Sequence, residues 1–306
     1  MSPKAAYVTL LTAPAYLPGV LVLHETLRSV GSKYPLVAMV TPSLSSEARA
    51  VVTTRGISIR DIDHLYPDEG AHKLAEHDSR LRDTWTKLRA FELVEYDRVV
   101  LLDADMIVKR NMDDLIEMPL ESDWIAAAHV CACNPRELPH YPVDWIPANC
   151  AHTAVASPTS DPPEIVATSP RPYTQLNSGS VVLNPSLSIL NDITNMITTS
   201  PAIATYSFPD QDLLSDYFRG RWKPLSWRYN ALKTLRIIHM PLWSDEEVRC
   251  FHYILHDKPW KSPRGTGGDY EDVNGWWWDL YEELGREMQQ SDPQGWELVE
   301  ANVAHL

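Results

Sequence analysis

Hydrophobic and polar positions change rhythm repeatedly over the first hundred residues. The run from Tyr7 to Thr12 is short and β-rich, and Gly19 to Val30 then carries Val20, Leu23, Leu27 and Val30 at helical spacing. Leu36 to Val40 is a second apolar run. Ser45 to Arg55 reads as a second helix with Ser45 or Ser46 as its N-cap, and Ile57 to Ile62 alternates like a third strand. Asp83-Thr84 caps a further helix in which Leu88, Phe91, Leu93 and Val94 supply the apolar stripe, ending near Tyr96-Asp97. Val99-Val100-Leu101-Leu102 is uninterrupted, as expected of a parallel strand covered on both faces, and it stops at Asp103-Ala104-Asp105. The order βαβαβαβ predicts a doubly wound sheet, in which ligands bind beyond the carboxyl ends of the strands, where those two aspartates stand.

Both periods fade from Cys131 to Tyr173, where prolines accumulate, among them Pro135, Pro139, Pro142, Pro147, Pro162 and Pro163. A stretch this long is either a lid or binding segment or a solvated excursion. Order resumes at Leu176-Asn177-Ser178-Gly179-Ser180-Val181-Val182-Leu183, a turn feeding a strand. A helix is expected around Gln211 to Phe218, a strand near Cys250 to Leu255, and an amphipathic helix over Asp272 to Gly285. That last helix contains Trp276-Trp277-Trp278. Three consecutive tryptophans cannot share one helix face, so at least one is expected in the core. With no internal repeat and no linker, one domain of 306 residues is favoured over two, in three stretches: 1–130, 131–270 and a helical tail (271–306).

Composition narrows the function classes. Apolar residues make up 44% and charged ones 22%, enough for a sizeable core. Lys plus Arg total 27 against 41 Asp plus Glu, a formal charge of −14, which argues against attachment to nucleic acid or an anionic membrane. There is no run of 18 apolar residues and no signal-peptide pattern at Met1-Ser2-Pro3-Lys4, so a cytoplasmic protein is expected. The four cysteines include Cys131-Ala132-Cys133 and Cys150, a spacing that fits no zinc signature and lacks an evident fourth ligand; reduced, structural thiols are the expectation.

Two aspartates one residue apart at a strand end suit a hard divalent cation that bridges phosphate oxygens. His252 adds an imidazole, which shifts the preference from Mg²⁺ towards Mn²⁺, and Lys258 adds a cation for a diphosphate. The bland alternatives are a turn feature, a satisfied polar histidine and a solvated lysine.

In these residues the chain resembles the family 8 glycosyltransferases, which include glycogenin and the plant galactinol synthases. The marks, in order, are Tyr7-Val8-Thr9-Leu10, Thr86-Lys87-Leu88, Leu101 to Asp105, Leu176 to Gly179, Asp210-Gln211-Asp212, and His252 to Trp260. The resemblance implies an α/β GT-A fold with a Rossmann-like, mostly parallel sheet flanked by helices, and a long acceptor-side insertion. It implies transfer of a hexose from a UDP-sugar with retention at the anomeric carbon. Carried over residue by residue, Asp103, Asp105 and His252 match Mn²⁺ ligands, with Mg²⁺ the alternative ion. Leu10, Thr12 and Tyr16 match the surroundings of uracil and ribose. Lys87 and Lys258, with Ala104 between the aspartates, match the diphosphate region, and Asn177, Ser178, Asp210 and Gln211 the donor sugar. Asp210, Gln211 and Lys87 are the catalytic candidates: Asp210 as the one nucleophile, Gln211 as a positioner, Lys87 as a stabiliser of leaving-group charge.

Departures from the family pattern shape the acceptor question. Glycogenin's self-glucosylated tyrosine is replaced by the stretch Arg236-Ile237-Ile238-His239, leaving Tyr229 as a substitute. A glycine between the family's histidine and lysine is replaced near Leu255-His256. The arginine upstream of Lys87 is Arg80 or Arg82. Within the family the closer resemblance is to galactinol synthases, which transfer galactose from UDP-galactose to myo-inositol, although their usual metal motif has glycine where Ala104 stands. His140, Tyr141, Asp144 and Trp145 are candidates to meet a small polyol or sugar acceptor, with packing as the equal alternative. A glycogenin-like protein glucosyltransferase and a non-catalytic nucleotide-sugar-binding protein are the rival readings, and a homodimer is left open.

Overall fold

The computed structural model describes residues 4–68, 70–72, 76–139 and 141–305, and the side chains of all of these but 76–82. Its first half follows the apolar rhythm: β1 (Ala5–Leu11), α1 (Leu17–Ser29), β2 (Leu36–Val40), α2 (Ser46–Thr54), β3 (Ser58–Asp61) and β4 (Arg98–Leu102). Ser45 is the α2 cap, its hydroxyl accepting from the Ala48 amide at 3.2 Å. The segment before β4 is a 3-10 helix, Glu76–Glu92, and ends earlier than its apolar stripe predicts. Tight turns closed by the Val94 amide on Glu92 and the Tyr96 amide on Leu93 carry the chain into β4.

Beyond β4 come β5 (Met106–Val108), α3 (Asp113–Glu117), β6 (Ile125–His129), β7 (Leu176–Leu183), α4 (Leu187–Thr199), α5 (Pro209–Tyr217) and β8 (Trp222–Leu225). The chain then forms β9 (Ala231–Leu232), α6 (Leu235–Ile238), β10 (Cys250–His252), α7 (Glu271–Ser291) and α8 (Pro293–Glu300). Seven strands form one sheet in the order β3-β2-β1-β4-β7-β6-β8; β5, β10 and β9 form a second. Only β7 runs against its neighbours in the large sheet. The expected α/β, mostly parallel architecture holds. β7 takes in Leu176 to Gly179 as well as Ser180 to Leu183: β4 and β6 pair with its second half, and the Leu176 and Gly179 amides donate to the Ser215 hydroxyl and the Asn177 side-chain oxygen.

Both faces of β1 and β4 are covered, as the unbroken apolar runs require. Tyr7, Leu11, Val100 and Leu102 face a core shared with α1, α2, α7 and α8, while Val8, Val99 and Leu101 face one shared with the 3-10 segment, α4 and α5. Each such fully buried aliphatic side chain contributes about 1.5–3 kcal/mol. Two of the three consecutive tryptophans are buried: Trp277 stacks on Tyr281 at 4.9 Å, and Trp278 packs edge-on against both. Trp276 is half-buried and carries the Lys109 ammonium over its ring. Among the described residues no helix is long and apolar enough to cross a membrane.

The sheet order reverses between β1 and β4, so the carboxyl ends of these neighbouring parallel strands open a crevice. Leu10 and Thr12 stand at one lip and Asp103 to Asp105 at the other.

Candidate active site

The crevice is a cleft of about 940 Å³, and the thirteen residues matched to ion, donor and catalytic positions line it: Leu10, Thr12, Tyr16, Lys87, Asp103, Ala104, Asp105, Asn177, Ser178, Asp210, Gln211, His252 and Lys258. Its centre is the turn Asp103-Ala104-Asp105, which links the two sheets. The Asp103 amide donates to Gly179 of β7, and the Asp105 carbonyl accepts from Tyr253, just past β10. Helix α1 lies directly against this turn. A Cβ on Gly19 would stand 2.3 Å from the Ala104 carbonyl oxygen, so only glycine permits the approach.

His252 comes to the aspartates through strand register. β10 pairs antiparallel with β5, placing His252 opposite Met106, the residue after Asp105. His252 Nε2 lies 3.3 Å from Asp105 Oδ1 and 3.7 Å from Asp103 Oδ2, with ligand atoms of all three mutually within 4.8 Å. The tautomer follows from a chain of amides. Asn230 donates from Nδ2 to Asn177 Oδ1 at 2.7 Å, which leaves its Oδ1 to accept from His252 Nδ1 at 2.8 Å. With Nδ1 so engaged, Nε2 is the ring atom turned to the two carboxylates, where it could serve as a ligand to an ion bound between them. Asn230 gave no sign of this role in the sequence, where it stands in no recognisable motif.

Space for the imidazole depends on Gly179, since a Cβ there would fall 2.3 Å from His252 Cε1. Gly179→Ala is expected to displace the ring and weaken divalent-ion binding at least tenfold, as loss of a ligand's support does; isothermal titration with Mn²⁺ checks it.

Two buried lysines sit on either side of the acidic pair. Lys87 Nζ donates to Asp103 Oδ1 at 2.9 Å and forms an ion pair with Asp210 Oδ2 at 2.7 Å. Burial works to lower its pKa, but the two carboxylates prevail and hold it above the ordinary lysine value. Lys258 Nζ contacts Asp105 Oδ2 and donates to the Tyr253 carbonyl at 2.8 Å. Burial pushes the Asp105 carboxyl up, and Lys258 and His252 overcome it, holding the group well below the usual carboxylate range. Asp103 is the most open of the set, its side chain 25% exposed against 8% for Asp105.

Asn177 Nδ2 donates to Gln211 Oε1 at 3.3 Å, so the amides of β7 and α5 are joined beside Asp210. At the other lip Thr12 donates to Asp83 at 2.7 Å, and Tyr66 does so at 2.8 Å; Asp83, read in the sequence as a helix cap, is a wall of the cleft. Next to Asp210, burial raises the Asp212 carboxyl to about 6.

On the acceptor side Tyr141 and Trp145 line the cleft, with Trp145 stacked on Phe208 at 5.4 Å. Asp144 does not. Its carboxylate is taken by Arg171, on the outer side of the insertion. Tyr229 lies outside the lining, its hydroxyl donating to Asp114. His140 and the side chains of Arg80 and Arg82 lie outside the described residues.

Leu255 also lines the cleft, with φ of 73° in the left-handed region. This is a backbone conformation that favours glycine, held here under a β-carbon near the position where a family glycine is replaced. Leu255→Gly is therefore expected to be more stable than Leu255→Ala by about 1 kcal/mol, reversing the usual order of the two residues; urea unfolding of the pair measures it.

The match to known proteins agrees with this geometry. The model of "Glycosyl transferase family 8" covers residues 7–263. The chain belongs to glycosyl transferase family 8. Galactinol synthase 6 of Arabidopsis thaliana is 30% identical over 287 residues, 92% of this chain and 81% of that one. Galactinol synthase 1 of Solanum lycopersicum is 30% identical over 286 residues, 91% and 82% of the two chains. Among solved structures the galactosyltransferase LgtC, in complex with donor and acceptor sugar analogues, superposes with a TM-score of 0.63 at 17% identity over 91% of this chain and 95% of that one. That likeness shows the GT-A fold. Membership in family 8 makes the chain a retaining hexosyltransferase, and divalent-metal use is typical of the family.

Proposed function

We propose that this family 8 enzyme is Mn²⁺-dependent and transfers glucose or galactose from a UDP-sugar to a hydroxyl of a small polyol or sugar, in the manner of the galactinol synthases. The observation that carries the reading is the convergence of Asp103, Asp105 and His252, flanked by two buried lysines, at the carboxyl end of β4. Two carboxylates and one neutral imidazole fit Mn²⁺ better than Mg²⁺. When bound, the ion neutralises charge on the donor diphosphate.

The remaining chemistry belongs to side chains. Cleavage of the sugar–phosphate bond leaves extra negative charge on UDP, and Lys87 and Lys258 stand ready to oppose it without reorganisation. Leu10, Thr12 and Tyr16, with Asp83, bound the region assigned to uracil and ribose. Asn177, Ser178 and Gln211 position the sugar. The ion pair of Asp210 with Lys87 at 2.7 Å disfavours Asp210 as a free nucleophile, which supports attack of the acceptor on the face from which UDP departs. In that route the acceptor oxygen bonds to the anomeric carbon as the carbon–oxygen bond to UDP breaks, and the acceptor proton passes to the departing phosphate oxygen.

A small acceptor fits the aromatic wall of Tyr141, Trp145 and Phe208, and Tyr229, turned to Asp114, gives no support to self-glucosylation. The chain is proposed to work as one domain, since the core on one face of the sheet draws on residues from Ala5 to Val303. Free thiols at all four cysteines suit the reducing cytoplasm.

Release of UDP from UDP-glucose, UDP-galactose and UDP-N-acetylglucosamine, with and without Mn²⁺ and across an acceptor panel including myo-inositol, tests the proposal. Mn²⁺-dependent release that rises with a polyol or sugar supports it. Discrete hexose additions to the intact mass would favour the glycogenin-like rival, and no release from any donor a binding protein.

A further inference from the structure

Three of the four cysteines gather at one point that the transfer chemistry does not use. β6 delivers Cys131 and Cys133 into the insertion, and the 3-10 turns Pro147–Asn149 and Ala151–Ala154 bring Cys150 back to them. His239, at the end of α6, completes the group, with its amide donating to Leu235 at 2.8 Å. His239 Nε2 lies 3.1 Å from Cys133 Sγ and 3.6 Å from both Cys131 Sγ and Cys150 Sγ. All four ligand atoms are mutually within 4.8 Å. Zinc bonds to sulfur and nitrogen at tetrahedral angles put such ligands about 3.6 Å apart. The observed set needs only small adjustment.

We propose that Cys131, Cys133, Cys150 and His239 hold one structural Zn²⁺ ion that ties the insertion to the end of α6. The spacing C-x-C with a distant cysteine hid the site from the sequence, because the fourth ligand arrives from another element some ninety residues on. Three sulfurs and a nitrogen close the tetrahedron and leave no open position, so the role is structural rather than catalytic. All four cysteines are free thiols, and three thiols with an imidazole make poor apolar filling beside Val130, Ala132 and Trp145. Zn²⁺ would bind the three sulfurs as thiolates, with release of their protons. Cys131, Asn134, Trp145, Ile237 and Ile238 line the cleft, so the ion would fix its acceptor-side wall.

The test is metal content of the full-length protein, purified without a metal-affinity step and dialysed against a mild chelator. About one zinc per chain is expected, kept in Asp105→Asn and lost in Cys133→Ser and His239→Ala. Because those variants can fail to fold, wild-type protein stripped and refilled with Co²⁺ gives the second readout: thiolate-to-cobalt charge transfer with intense tetrahedral d–d bands. A zinc-free protein with three freely titrating thiols, zinc retained by Cys133→Ser, a disulfide in the intact mass, or cobalt bands without thiolate character would each overturn the site.

Discussion

Asp105→Asn is expected to lower kcat/KM by about 10³-fold, the equivalent of about 4 kcal/mol of transition-state stabilisation, while the protein stays folded. Asp105 is the carboxylate that His252 and Lys258 both address, at 3.3 Å and in direct contact. The choice of asparagine matters. Alanine would leave the Lys258 ammonium buried without a counter-charge, a defect that costs about 3–5 kcal/mol, and lost activity would then report unfolding. Asparagine keeps the volume and an oxygen for Lys258 but removes the charge. Initial rates across a Mn²⁺ series, beside a thermal melt, separate the outcomes: the variant should melt near wild type and fail to saturate with Mn²⁺. Wild-type rates in the variant, or full turnover in chelator, would remove Asp105 from the proposed ion site.

Lys87→Met should reduce kcat by about 10²-fold or more with little change in KM, because its charge is felt chiefly as UDP gathers charge in departing. Lys87 also bridges Asp103 and Asp210, so its loss sets two carboxylates beside each other without a cation and should lower stability. The double variant Lys87→Met/Asp210→Asn divides these effects. Removing the second charge should restore the melting temperature and leave turnover low; recovery of both together would demote Lys87 to a structural ion pair. Lys87→Arg is a poor rescue, since a planar fork cannot replace a compact ammonium between two carboxylates.

The parts of the site legible in the sequence were those that local chemistry marks. An apolar run ending in Asp103-Ala104-Asp105 announces a buried strand with its ligands at the tip, and β4 does end there. His252 and Lys258 were candidates by residue type, each with a bland alternative, and the resemblance is what tied them to the aspartates. The amide relay through Asn230 was not, because orientation of an imidazole is set by a neighbour twenty-two residues away that no spacing rule selects. Helix α4 carried a readable pattern, with Ile189, Leu190, Ile193 and Ile197 on one face behind the Ser186 cap, yet followed a strand whose direction sequence cannot give. The antiparallel placement of β7 depends on the excursion from 131 to 173, whose prolines carry no period. For Asp144 the two alternatives could not be separated for the same reason: a carboxylate in such a stretch pairs with whichever cation the fold brings, here Arg171.

The pairing of β10 with β5 is only three residues long. Side chains on a strand alternate between faces, so sliding β10 by one position would exchange Phe251 with His252 and push an aromatic ring where the imidazole stands. Phe251 resists this slip, locked edge-on among Trp243, Tyr253 and Trp276. The greasy cluster behind the small sheet thus acts as a vernier: it sets, to a single residue, the alignment on which the proposed ion site depends.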